Sequence, residues 1–150
     1  HHIDTVIASG PAVVAHNLET VESLTPRVRD PRATYRQSLD VLAHIAGRGV
    51  PSKSSLMLGL GEQREEVLQA MRDLREVGVD FLTLGQYLRP SPRHLAVDSY
   101  VSPQVFKEFE EAGQKMGFAY VASGPLIRSS YKAGEFYIRQ ILDRESVGNS

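Results

Sequence analysis

Four times along the chain a glycine ends a helical stretch and a short apolar run follows it. The pattern stands at Ser9-Gly10-Pro11 before Ala12 to Ala15, and at Arg48-Gly49-Val50 shortly before Leu56 to Leu58. It recurs at Val77-Gly78-Val79 before Phe81 to Leu84, and at Met116-Gly117-Phe118 before Ala119 to Ala122. Glycine just past a helix supplies the left-handed residue that terminates it. Short apolar runs between helices are the mark of buried parallel strands. Four such units predict an α/β fold with a βαβα layout.

Between the runs, apolar residues recur at helical spacing. Tyr35, Leu39, Leu42 and Ala46 form one stripe; Val67, Met71 and Leu74 form a second; Val105, Phe109, Ala112 and Met116 form a third. Ser102-Pro103 opens the third helix with a cap and a proline at its first position. A final helix is expected around Ala133 to Leu142, with residues 144–150 as a disordered tail.

Composition narrows the function classes. The 150 residues carry a net charge of −1, which argues against nucleic-acid binding, because that needs a basic excess. No apolar run approaches the length of a membrane span. Cysteine is absent. That excludes disulfides, thiol catalysis, a zinc-thiolate centre and any cluster held by cysteines of this chain. His16, His44 and His94 lack the spacing of a metal site. There is no initiating Met, which points to a segment of a longer protein.

In α/β folds the C-terminal ends of parallel strands carry the site. The runs are followed by His16-Asn17-Leu18-Glu19-Thr20, by Gly59-Leu60-Gly61-Glu62, by Gly85-Gln86-Tyr87-Leu88-Arg89-Pro90-Ser91, and by Ser123-Gly124-Pro125 with Arg128-Ser129-Ser130-Tyr131. Four polar ends, three of them with glycine, favour one shared pocket with close backbone approach. Each has a plainer reading. Asn17 and Glu19 also suit capping of a short helix. Gly59 to Glu62 also suits a strand-to-helix turn with an acidic first turn. Arg89 and Arg93 also suit a solvated loop, and Arg128 to Tyr131 turn chemistry before the last helix.

Taken together, the strings AHNLETV (Ala15 to Val21), RDPRATYRQSLDVL (Arg29 to Leu42), KSSLMLGLGE (Lys53 to Glu62), LTLGQYLRPS (Leu82 to Ser91) and SGPLIRSSY (Ser123 to Tyr131) resemble the lipoyl synthase family of radical S-adenosylmethionine (SAM) enzymes. The resemblance implies the C-terminal half of a partial TIM-type (β/α) barrel, with about four parallel strands over residues 1–143. It implies SAM and two [4Fe–4S] clusters as cofactors. The implied reaction inserts two sulfurs at C6 and C8 of a protein-bound octanoyl group. One cluster cleaves SAM to a radical and the other is consumed as the sulfur source. The implied partner is an octanoylated lipoyl carrier domain, either a 2-oxoacid dehydrogenase E2 subunit or the glycine cleavage H protein. Location would be cytoplasmic in a bacterium and organellar in a eukaryote.

By position, Ser130 matches the family serine that ligates an iron of the consumed cluster, and Arg128 the arginine beside it. An alkoxide is a poorer partner for cluster iron than thiolate, so that iron could leave. Asn17 and Glu19 match a strand-end pair expected near SAM. Gly59 and Gly61 lie in a segment similar to one that supports the adenine. Gln86, Tyr87 and Arg89 are candidates for the SAM carboxylate or the substrate. Ser55 stands where the family usually has Gly. If that position needs a positive φ, Ser costs of order 1 kcal/mol. Two competing expectations are another α/β-barrel enzyme that binds an anionic ligand, and a non-catalytic carrier-docking domain. Without cysteine, the segment alone is expected to be inactive.

Overall fold

The computed structural model describes residues 13–127. Gly10, Arg128, Ser129, Ser130, Tyr131, the final helix and the tail lie outside them. The elements run β1 (Val14–Ala15), a 3-10 turn (Glu22–Leu24), α1 (Thr25–Val28), α2 (Tyr35–Gly47), β2 (Ser52–Leu58), α3 (Arg64–Glu76), β3 (Phe81–Gln86), α4 (Pro103–Met116) and β4 (Tyr120–Ser123). The four strands form one sheet in the order β1-β2-β3-β4, parallel throughout. That is the α/β architecture expected of part of a β/α barrel.

Local chemistry sets the helix ends. Thr34 Oγ1 accepts from Gln37 N at 3.1 Å while Gln37 Oε1 accepts from Thr34 N at 3.1 Å, a reciprocal cap on α2. Ser102 Oγ accepts from Val105 N at 3.3 Å, with Pro103 in the first position of α4. Gly49, Gly78 and Gly117 end α2, α3 and α4 at φ 74°, 97° and 95°. No residue with a Cβ adopts that conformation cheaply.

Helices and sheet share a dry core. Leu56, Leu58, Leu82, Leu84 and Val121 project from the strands into Leu39, Leu42, Val67, Met71, Leu74 and Phe106. Alternate strand residues occupy the opposite face. Lys53, Phe81 and Tyr120 align in one row, Ser55, Thr83 and Ala122 in a second, and Met57 and Gly85 in a third. This second face is mixed: Val13, Phe81 and Tyr120 cluster at one end, while Lys53, Ser55 and Thr83 are buried polar residues. Burial holds the Lys53 ammonium below its ordinary pKa.

Three expectations need correction. β2 starts at Ser52, not Leu56, because the polar stretch Ser52-Lys53-Ser54-Ser55 is itself strand. Two of its residues face the polar row rather than the apolar core, so the run does not read as strand from hydropathy. Ser55 lies in extended strand, and among the described residues Glu19 alone has positive φ without being glycine, so the Gly-to-Ser cost vanishes. The stripe of α4 is Phe106, Phe109 and Gly113, with Val105, Ala112 and Met116 half-buried. Gly113 turns the helix: a Cβ there would lie 2.8 Å from Val121 Cγ2 and 3.2 Å from Met71 Cε, so glycine lets the helix approach the sheet on that side.

β1 pairs with β2 through Val14–Ser52 and Ala15–Lys53, and pairing resumes at Glu19–Leu56. Four residue steps on one strand therefore oppose three on the other, which is a β-bulge. The Leu18 N–H, left without a ladder carbonyl, donates to Ser54 Oγ at 2.9 Å. Glu19 N donates to Ser55 O at 3.0 Å and Glu19 O accepts from Met57 N at 2.8 Å. The bulge puts Glu19 at φ 75°.

Candidate functional site

All four strands end on one side, so the predicted residues of the described region gather at one mouth. They differ in what their atoms already do there. Glu62 folds its carboxylate back onto its own loop, accepting from Gly59 N at 3.0 Å and Leu60 N at 3.0 Å. Gly59 O accepts from Asp98 N at 2.8 Å and Ser99 N at 3.3 Å. A Cβ on Gly59, which sits at φ 98°, would collide with Gln86 Nε2 and Ser99 O. Both polar backbone groups of Gly59 are thus used by the protein itself. Gly61 is exposed at φ 106°, with the Asp98 side chain nearby.

Gln86 is likewise occupied. Its Nε2 donates to Tyr87 O at 3.0 Å and Ser99 O at 3.0 Å, and its Oε1 accepts from Val101 N at 2.9 Å. Tyr87 Oη donates to Leu95 O at 2.7 Å. Arg89 donates from Nε to His94 O at 2.9 Å and from an Nη to Pro92 O at 2.6 Å. These three side chains shape the long connection between β3 and α4. These hydrogen bonds are what the strand-to-helix turn expected at Gly59 to Glu62 and the loop expected at Arg89 would make.

Asn17 and Glu19 behave otherwise. Neither side chain caps the turn that follows: Val21 is its N-cap and no side chain hydrogen-bonds there. Both are half-buried at the mouth, and neither has a hydrogen-bonded or charged side-chain partner among the described residues. Beside them, His16 Nε2 lies 3.2 Å from Ser38 Oγ, which also accepts from Arg29 Nη1 at 2.5 Å. Burial, and then the Arg29 charge, hold His16 below its ordinary pKa. Arg29 and Ser38 were not apparent as site residues from sequence, since nothing in a helix stripe marks Ser38 as the contact of a residue 22 positions earlier.

A cleft of about 400 Å³ opens between the β2 and β3 ends, lined by Met57, Leu60, Tyr87, Leu88 and Pro90, with Arg27, Arg93 and His94 at its polar side. Of the strand-end strings, Leu60, Tyr87, Leu88 and Pro90 take part, with Arg93 beyond them. The sequence signal that could have found it is apolar Leu60 and Leu88 standing among the polar and glycine residues of two strand ends.

The donor set can be compared with the implied cofactors. Among the described residues no group of three or more His, Cys, Asp or Glu could hold a metal ion, and cysteine is absent from the chain. The described residues thus do not by themselves fit an iron–sulfur cluster, and the chain supplies no thiolate to one. The uncommitted amide and carboxylate of Asn17 and Glu19 do fit the amino and hydroxyl groups of a ligand such as SAM.

No protein-family model matches the chain. Curated relatives do. It is 60% identical over 146 residues to the mitochondrial lipoyl synthase of Branchiostoma floridae, covering 95% of this chain and 39% of that protein. It is 61% identical over 147 residues to the mitochondrial lipoyl synthase of Culex quinquefasciatus, covering 97% of this chain and 39% of that protein. It is 55% identical over 150 residues to chloroplastic lipoyl synthase 1 of Zea mays, covering 99% of this chain and 42% of that protein. These relatives are named for mitochondria and chloroplasts, which overturns the cytoplasmic expectation and agrees with the organellar one. The chain spans about two fifths of the length of the relatives it matches, their C-terminal part, and over that part it belongs to the lipoyl synthase family.

Proposed function

We propose that this chain is the part of a lipoyl synthase that lays out one side of the barrel mouth, binding SAM through Asn17 and Glu19. The parent activity is SAM-dependent insertion of two sulfurs at C6 and C8 of an octanoyl group on a lipoyl carrier domain, in an organelle. The observation that carries the SAM assignment is Glu19. A residue with a side chain is held at φ 75°, where glycine would be unstrained, and its carboxylate has no partner among the described residues. Strain of this kind persists where the side chain is needed. Gly59, Gln86 and Arg89 support the site indirectly, by building the connection that walls it. Arg89, the charge on which an anion-binding enzyme would lean, is already engaged by two carbonyls.

Two [4Fe–4S] clusters belong to this reading through the family, with their thiolates outside this chain. Ser130 is proposed as the oxygen ligand to one iron and Arg128 as its charge-balancing neighbour. Titration of SAM into the full-length enzyme tests the binding part. Asn17→Ala and Glu19→Ala should each weaken binding about tenfold, the equivalent of one charge-assisted hydrogen bond. Unchanged affinity in both overturns it. Ser130→Ala should leave SAM cleavage largely intact and abolish lipoyl formation; normal lipoyl formation removes Ser130 from the mechanism. The chain by itself, treated with iron and sulfide without oxygen, should take up no stable cluster.

A further inference from the structure

The exit from β4 is held in place by the sheet it leaves. Gly124 N donates to Leu84 O of β3 at 3.1 Å, and the turn closes on itself where Ile127 N donates to Gly124 O at 3.1 Å. The Ile127 carbonyl rests against Gly85 of β3, where a Cβ would collide with its oxygen and lie 3.2 Å from its carbon. Gly85 is not at positive φ, so backbone freedom does not require the glycine there; close approach of another backbone does. Leu84 on one side of it faces the helices, so the pleat turns Gly85 to the opposite face, beside Met57 in register.

From these contacts we infer that Gly85 is a positioning residue: its bare Cα is the seat on which the turn Gly124 to Ile127 docks, fixing where the chain stands at Ile127. Gln86, which organises the β3 connection, is its immediate neighbour, so the same strand end sets both the wall of the mouth and the seat of the turn Gly124 to Ile127. Three residues of chain span at most about 11 Å whatever their conformation. The distance over which Ile127 can constrain Ser130 is bounded by that span. Any side chain on residue 85 lifts the turn from its seat. The inference rests on the proposed role of Ser130 for its functional consequence, and on Gly85, Gly124 and Ile127 for its geometry.

Hydrogen exchange on the full-length enzyme tests the geometry. In the native protein the Gly124 and Ile127 amides should be protected like those of β4. Gly85→Ala should raise exchange at those two amides about tenfold or more while β2 and α4 amides keep theirs. Gly124→Ala is the control, since its methyl would meet only Ile127 Cγ1 at 3.5 Å, an ordinary contact. Gly85→Ala should also lower the turnover of sulfur insertion at unchanged SAM affinity, a split that general destabilisation does not give. Native-like protection in Gly85→Ala, or free exchange of both amides in the unaltered enzyme, overturns the inference; the second reading needs no variant to fold. Loosened exchange in Gly85→Ala together with normal lipoyl formation in Ser130→Ala would keep the seat and discard the serine's role.

Discussion

The exits of β1 and β3 face the same mouth and use their polar residues in opposite ways. At β3, Gln86, Tyr87 and Arg89 spend their donors and acceptors on the backbone of residues 92–101. At β1, the side chains of Asn17 and Glu19 have no partner among the described residues, and one of the two residues is strained. The contrast teaches that a polar residue at a strand end has two distinct uses. Long connections lack secondary structure to satisfy their carbonyls and amides, and nearby side chains must do so. Short exits free the side chain for a ligand.

The comparison breaks first at Gly59. Gly59→Ala combines a positive φ with a collision against backbone and Gln86, and should destabilise the fold by about 3 kcal/mol in denaturant titration. A cost below about 1 kcal/mol would mean that the two exits are not packed as described. Next, Gln86→Ala leaves the Val101 N–H and Ser99 carbonyl without their partner. About 2 kcal/mol should be lost, with rapid proteolysis within residues 87–101 while the core stays resistant. The β1 exit should respond in the other direction. Glu19→Gly relieves the left-handed strain and should raise stability by about 0.5–1 kcal/mol while SAM affinity falls. Equal or lower stability would place the strain elsewhere.

The smallest effect is electrostatic. His16 has its pKa lowered in the folded state from the ordinary value of 6.5, so the unfolded chain binds the extra proton first. Stability from this group is complete above about pH 6.5 and is lost as pH falls below it toward the lowered folded value. Measured as the denaturant midpoint between about pH 8 and pH 5, this component should disappear in His16→Asn.

Much of the fold was legible. The glycines after each helix and the apolar runs Phe81 to Leu84 and Ala119 to Ala122 give the alternation and the parallel sheet. The start of β2 was not legible, because Lys53 and Ser55 face a polar interior that hydropathy reads as loop. Nor was the rotation of α4, which depends on the small Gly113 meeting Val121. In the site, AHNLETV pointed to Asn17 and Glu19, whose side chains have no partner among the described residues. The hydrogen bonds of Gly59, Gln86 and Arg89 were not legible, because their partners lie in the connection of residues 92–101, which has no periodicity to reveal it. The His16–Ser38–Arg29 link was invisible for the same reason.

The extra residue between Ala15 and Glu19 reaches further than its own hydrogen bonds. Side chains alternate along a strand, so an odd insertion exchanges inward for outward for everything beyond it. Removing one residue at Asn17 would let the ladder run unbroken against β2. It would also point the acid at position 19 to the other side of the sheet. It would turn the fully buried Leu18 out of the core as well, so the shortened protein should lose stability together with any ligand held through position 19.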